Sequence, residues 1–512
     1  MYVTHPWVNP GSIECREYQE SIVGTAISGN TLVCIPTGLG KTNIAAMVAA
    51  YRLSKNMNGK ILFLAPTRPL VEQHKKSFER MLKIEEEKML VVTGETPPEE
   101  RHAMYMKADA VFSTPQCIKN DLKSGSIRLQ DFILCIFDEA HRAVGNYAYP
   151  YVATCYMNYA KDPLILALTA SPGAQRQKID EVRGKLYIKN IEIRTRSDPD
   201  VAKYVQEMKQ DFAEVELTIP MQCIRKYLET VKNDRIKKLV EWKILRSFSI
   251  SKTEILNKQK ELSKSGPGWR YAAISLLAQV LKVDHALALL ETQCIYSLKS
   301  YLDKMNEDAA EGKSKAVEKL VADENFRNAV RLTDELYKEG TEHPKIEKLK
   351  EIVLEQIGED KFSLIIVFAQ FRDTIQKIYE TLKVLPNVSP IEFIGQAKKK
   401  GKGLSQKEQV QILNEFKMGF YNVLCASQVA EEGLDVAETS LVIFYEPTPS
   451  AVRKIQRSGR TARTESGRVV VLMTKNTRDA AYHYSAHQKE KNMTKILSGM
   501  RDKTLRNFTS QR

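Results

Sequence analysis

The sequence has no C-x-x-C pair. Its eight cysteines stand singly along the chain, which argues against a zinc ribbon or a thiol redox motif. Several, such as Cys34, Cys135 and Cys425, lie inside apolar runs, as reduced core residues do, and this usage suits a reducing, cytoplasmic compartment. The eight histidines show no metal-ligand spacing, so no structural metal is expected. The segment around Pro6, Trp7 and Pro10 lacks the apolar core of a secretion signal. No apolar run approaches the length of a membrane span, so a membrane partner is not expected. Neither a short internal repeat nor a low-complexity tract occurs.

What is present is a chain of 512 residues, 43% hydrophobic and 27% charged, long enough for roughly two to four domains with sizeable cores. Its net charge of +14 favours a polyanionic partner, nucleic acid before membrane.

From about residue 12 to 200, short apolar runs (31–35, 61–65, 89–93, 109–113, 132–137, 164–169) alternate with longer amphipathic stretches. A second such block has runs at 363–368, 391–394, 422–425, 441–445 and 468–473. This alternation predicts parallel α/β sheets. Between them the periodicity turns helical, with Ile274, Leu277, Leu281, Leu287, Leu290, Ile295, Leu298 and Leu302 on one stripe. The expected fold is therefore α/β, two tandem RecA-like parallel-sheet domains with an inserted all-helical domain. The expected divisions are 1–204, 205–338 for the insert, 339–490, and a basic tail, 491–512.

Ile35-Pro36-Thr37-Gly38-Leu39-Gly40-Lys41-Thr42 follows the first apolar run and opens a helical one. Glycines there let backbone N–H groups close on phosphates at a helix N-terminus. Lys41 is placed to reach the β- and γ-phosphates, and Thr42 to ligate Mg²⁺. Ile35 stands where the strict motif has glycine. Asp138-Glu139-Ala140-His141 ends another apolar run. Asp138 at a strand end suits Mg²⁺, and Glu139 suits a general base for water. Gln456-Arg457-Ser458-Gly459-Arg460-Thr461-Ala462-Arg463, on the second block, supplies guanidinium groups for a leaving γ-phosphate, so hydrolysis requires the two blocks to close.

Residues 225–270 hold thirteen Lys/Arg against five acids, interleaved with Tyr227, Trp242, Phe248, Trp269 and Tyr271. Cations with aromatics can bind nucleic acid; they can equally form a solvated helix face over a packed core. Lys237, Lys238 and Lys243 are the candidate contacts.

As a set, these motifs resemble superfamily 2 helicases over nearly the whole chain. Arg16-Glu17-Tyr18-Gln19, Ala65-Pro66-Thr67-Arg68, Ser113-Thr114-Pro115-Gln116, Thr169-Ala170-Ser171-Pro172-Gly173 and Phe368-Ala369-Gln370 fall in that family's order. The extended acidic box through Tyr149, the Gly395-Gln396-Ala397 element with Gly403–Gln409, and Val429–Asp435 resemble the archaeal Hef and eukaryotic FANCM branch. The resemblance implies ATP and Mg²⁺ as cofactors. It implies phosphate-loop contacts from Pro36, Thr37, Gly38, Leu39 and Gly40, adenine recognition by Gln19, and catalytic roles for Gln456, Arg460 and Arg463. Thr169 and Ser171 would couple hydrolysis to unwinding. Pro66, Thr67, Arg68, Thr114, Gln370 and Ser427 would contact the tracked strand, and Asp435 the nucleotide sugar or the domain interface. A thumb-like insert gripping branched DNA and 3′ to 5′ movement are also implied. Ala462 replaces the usual glycine between the arginines. No acidic nuclease signature precedes Arg512, so no nuclease activity is expected of this chain. A sliding clamp is a plausible partner, yet no clamp-binding motif is seen in the tail. Two other readings stay open: a double-stranded-RNA-dependent ATPase of the Dicer or RIG-I type, and a branched-DNA binding scaffold without turnover.

Overall fold

The computed structural model describes residues 1–170, 176–204, 208–248, 250–264, 268–395, 403–427, 439–447 and 467–488, with isolated positions at 491–492, 496 and 499. Of the predicted site residues, Ser171, Asp435, Gln456, Arg460 and Arg463 lie outside these, as do Gln396–Lys400 and most of the basic tail.

The first block forms a seven-stranded parallel sheet: β1 (Thr31–Cys34), β2 (Lys60–Leu64), β3 (Met89–Val92), β4 (Ala110–Ser113), β5 (Phe132–Phe137), β6 (Ile165–Thr169) and β7 (Asn190–Ile193), in the order β3-β4-β2-β5-β6-β1-β7. Every residue of β1, β4, β5 and β6 is buried. Parallel strands covered by helices on both faces read as unbroken apolar runs for this reason. Successive side chains enter opposite cores: Val33, Leu134 and Ile136 pack on one face, and Leu32, Cys135 and Phe137 on the other.

The second sheet contains β8 (Met208–Val215), β9 (Ile365–Phe368), β10 (Pro390–Phe393), β11 (Val423–Ala426), β12 (Leu441–Phe444) and β13 (Gly467–Thr474), in the order β10-β11-β9-β12-β13-β8. Strand β8 lies in the stretch expected to be all helical. Instead it pairs in parallel with β13, from Met208 opposite Gly467 to Val215 opposite Thr474. The second sheet is thus assembled from chain on both sides of the insert. After β10, Ser405 and Glu408 close a reciprocal capping box at the start of the helix Gln406–Lys417.

The insert proper runs through helices Ile219–Glu241, Lys252–Leu262, Trp269–Thr292, Ile295–Ala310, Lys315–Val321 and Glu324–Lys338. One of them corrects the expectation about membrane-length runs. Trp269–Thr292 is long and apolar enough, by length and composition, to cross a membrane. Here its apolar face is core: Val283, Ala286, Leu287 and Leu290 pack with Ile224 and Leu228, and Ala273, Leu277 and Val280 pack with Ile236 and Leu239.

Polar anchors join the insert to the second sheet's domain. Arg478 grips both oxygens of Asp284 (2.8 and 3.0 Å). Thr374 Oγ1 donates to Gln293 Oε1 at 2.8 Å. Lys345 Nζ, wholly buried, lies 2.5 Å from the equally buried Asp479 Oδ2 and also donates to the Thr292 carbonyl at 3.2 Å.

Candidate functional site

Residues predicted from the first block gather along the C-terminal edge of the seven-stranded sheet, where loops leave parallel strands. The 36–40 loop follows β1 and the acidic box follows β5. Strand β6, ending in Thr169, lies between those two in the sheet and brings all three together.

The loop depends on two left-handed glycines, Gly38 (φ 89°) and Gly40 (φ 74°). A Cβ on Gly40 would come within 2.5 Å of Gln19 Nε2. That close approach lets Gln19 Nε2 donate to the Leu39 carbonyl at 3.1 Å, beside Tyr18 Oη at 2.9 Å. Gln19 is fully buried, and its Oε1 has no hydrogen-bond partner among the described residues. A buried acceptor held against the loop suits an adenine amino group. Ile35, the departure from the strict motif, is itself buried in the core, so this position packs and leaves phosphate contacts to the loop after it. Lys41 Nζ donates to the Ile35 carbonyl at 3.3 Å, inside the loop it would serve.

Asp138 is 4% exposed. Burial pushes its pKa up, but the hydrogen bond and charge of His74, and then the charge of Lys41, outweigh this and hold the carboxyl below its ordinary value. His74 Nε2 lies 2.9 Å from Asp138 Oδ2, and His74 Nδ1 lies 3.5 Å from Thr42 Oγ1. Thr42 and Asp138 therefore meet the two nitrogens of one imidazole, the first with a hydroxyl and the second with a carboxylate. Hard oxygen donors of this kind suit Mg²⁺. The backbone under the acidic box is fixed from below, because the fully buried Tyr149 donates its hydroxyl to the Asp138 carbonyl at 2.6 Å. Glu139 takes a left-handed conformation (φ 49°), a strained choice for a non-glycine residue that recurs at functional sites. Its Oε2 lies 3.2 Å from His141 Nδ1, and the same nitrogen lies 3.2 Å from Thr169 Oγ1. Glu139 Oε2 itself has no hydrogen-bond partner among the described residues, so the base candidate is left open to a ligand while His141 hydrogen-bonds Thr169.

The strand-contact candidates sit at equivalent edges. Pro66, Thr67 and Arg68 follow β2, Thr114 follows β4, Gln370 follows β9 and Ser427 follows β11. Arg68 is paired with Glu72 at 2.7 Å and with Glu95, so a phosphate would have to take it from those carboxylates.

In the insert, the basic run divides into two sets. Arg225, Lys232, Arg235 and Lys258 are tied to Glu229, Asp284, Asp323 and Glu261. Lys237, Lys238 and Lys243 are exposed, with no acidic partner within ion-pair distance among the described residues. The aromatics divide similarly. Tyr227 packs against the core, whereas Trp242, Phe248, Trp269 and Tyr271 stand exposed. Arg235, Lys238, Trp242, Gln279 and Lys319 line a cavity of about 390 Å³ on this face.

Sequence reasoning missed His74 and gave Tyr149 no role. The signal for His74 was present: it occupies the buried stripe Val71, His74, Phe78, Met81 of the helix Arg68–Met81, a polar residue on an apolar face.

Comparison with known proteins adds to this. Residues 16–179 match the DEAD/DEAH box helicase family, 344–465 the helicase conserved C-terminal domain, and 221–338 the helical bundle of an ATP-dependent RNA helicase family. The crystal structure of the Pyrococcus furiosus Hef helicase domain superposes with a TM-score of 0.72 at 45% identity, covering 92% of this chain and 98% of that one. A Methanocaldococcus jannaschii protein named as an ATP-dependent RNA helicase is 38% identical over 98% of this chain and 63% of its own length. The Schizosaccharomyces pombe ATP-dependent DNA helicase fml1 is 32% identical over 96% of this chain and 61% of its own. The chain spans less than two thirds of these two relatives.

Proposed function

Because the chain belongs to the Hef/FANCM family of DEAD/DEAH box helicases, we propose that it is an ATP-driven DNA motor that remodels branched DNA, forks and four-way junctions, moving 3′ to 5′. The observation that carries the branched-DNA reading is the set of exposed lysines of the insert, Lys237, Lys238 and Lys243, of which Lys238 lines one cavity with the exposed Trp242. A single tracked strand has its own candidate contacts in the two motor domains. A second basic surface with stacking groups suits a duplex arm or an unpaired base near a junction.

Lys41 holds the β- and γ-phosphates, and Gln19 reads the adenine edge through its open acceptor. Thr42 and Asp138 hold Mg²⁺, which neutralises phosphate charge when bound. Glu139 orients and deprotonates the attacking water, and His141, next to that base, hydrogen-bonds Thr169. Gln456, Arg460 and Arg463 come from the second domain, with Asp435 serving the sugar or the domain interface, so turnover waits for closure. Thr169 and Ser171 pass the closed state on to the strand held by Pro66, Thr67, Arg68, Thr114, Gln370 and Ser427.

The RNA-helicase name of the Methanocaldococcus relative favours a second reading, in which double-stranded RNA is the activator. ATP turnover measured without nucleic acid and with single-stranded, forked and four-way DNA and double-stranded RNA separates them. Strongest stimulation by branched DNA supports the first reading, and strongest stimulation by double-stranded RNA replaces it with the second. Glu139→Gln is expected to bind nucleotide and lose turnover by about 10²-fold or more. Persistent DNA remodelling in that variant would exclude a motor.

A further inference from the structure

The motifs assign no role to His74, although it touches two of the residues placed around the metal. It is 7% exposed, on a helix whose inner stripe is otherwise apolar. Its ring lies 4.3 Å from the ring of Phe63, which also stacks on Phe112 and meets Phe78 edge-on. Packing against this aromatic cluster fixes the plane of the imidazole. Each nitrogen then meets an oxygen from a different strand–loop unit, Asp138 Oδ2 after β5 and Thr42 Oγ1 after β1.

We propose that His74 is a positioning residue of the magnesium site. The imidazole faces the Asp138 carboxylate with Nε2 and the Thr42 hydroxyl with Nδ1. The carboxylate is fixed by a charge-assisted hydrogen bond. The loop after β5 and the start of the helix after β1 are thereby tied to one ring before any ion arrives. Outer partners of metal ligands contribute to affinity in this way, commonly by about 10–100-fold. The inference rests on the reading that Thr42 and Asp138 hold Mg²⁺.

The test uses the full chain and a fluorescent ADP, titrated with Mg²⁺ and with EDTA. The ratio of the two affinities isolates the metal-dependent part of binding. His74→Phe keeps an aromatic ring beside Phe63 and removes both nitrogens. His74→Gln keeps a donor that can reach Asp138. H74F should lower the ratio about tenfold or more with affinity in EDTA unchanged, and H74Q should recover most of the ratio. His74→Asn, which cannot reach Asp138, should resemble H74F and serves if H74F does not fold. A parental ratio in H74F or H74N would overturn the proposal. So would an equal loss of affinity with and without Mg²⁺ in every variant, which would make His74 a packing residue only. Asp138→Asn separates the two levels, because a parental ratio there would overturn the metal assignment itself, whatever His74 does.

Discussion

His343 caps the helix Pro344–Glu359, its Nδ1 accepting from the Lys345 backbone N–H at 3.2 Å. Burial, and then the charge of Lys345, push its pKa down to about 3. The folded chain therefore keeps this imidazole neutral where an unfolded one, near 6.5, takes up a proton. With a depressed pKa, the unfolded state binds more protons between about 3 and 6.5, so stability rises with pH across that window. The contribution is complete above 6.5 and is lost as pH falls toward 3. His343→Asn keeps a capping acceptor without the titration. Between pH 7 and 5 its unfolding free energy should fall less than the parent's, the difference approaching about 1.4 kcal/mol per pH unit below 6.5. Parallel stability curves would remove His343 from the acid response. At this scale the sequence showed chemistry wherever residue type and order suffice, as with Lys41, Thr42, Asp138 and Gln19. It did not show His74 or Tyr149, because each acts on atoms delivered by another strand or on a backbone carbonyl, and no spacing in the chain encodes that.

The eleven predicted strands all formed, and the two that went unpredicted explain why. Strands covered on both faces must be apolar throughout, so β1 and β5 announce themselves. β7 and β8 stand at sheet edges. β7 reads Asn-Ile-Glu-Ile, and β8 reads Met-Lys-Gln-Asp-Phe-Ala-Glu-Val with Lys209, Asp211, Phe212 and Glu214 exposed. An edge strand tolerates charge, and its identity comes from the neighbour it pairs with. The same dependence on distant partners governs the helix Pro344–Glu359. Its Lys345 is held by Asp479, from the segment after β13. Asp479→Ala leaves a buried ammonium without its carboxylate and should cost about 3–5 kcal/mol by chemical denaturation. Replacing both, as Lys345→Met with Asp479→Leu, should cost far less. If the single and double variants were equally stable, the pair would not be coupled.

As a whole, the molecule is two motor domains with the insert fastened to the second. The anchors at Asp284, Gln293 and Thr292 fasten the insert with its exposed lysines to the domain of the second sheet. Replacing Lys237, Lys238 and Lys243 by Gln should weaken fork binding more than ATPase on excess single strand. It should also make the logarithmic salt dependence of fork binding shallower by up to about three, near 0.9 for each phosphate contact. Equal losses in both assays, or none, would return these lysines to a solvated face. The edge strand β8 carries a consequence for biosynthesis. Asp211 and its partner Arg468 are 257 residues apart. At ~5–20 residues per second, β8 leaves the ribosome on the order of ten seconds or more before β13 exists. The first sheet can be complete by then, while the second cannot close. The charges of β8, Lys209, Asp211 and Glu214, protect an unpaired edge during that wait, and nascent chains stalled before residue 467 should expose β8 to protease while the first domain already resists it.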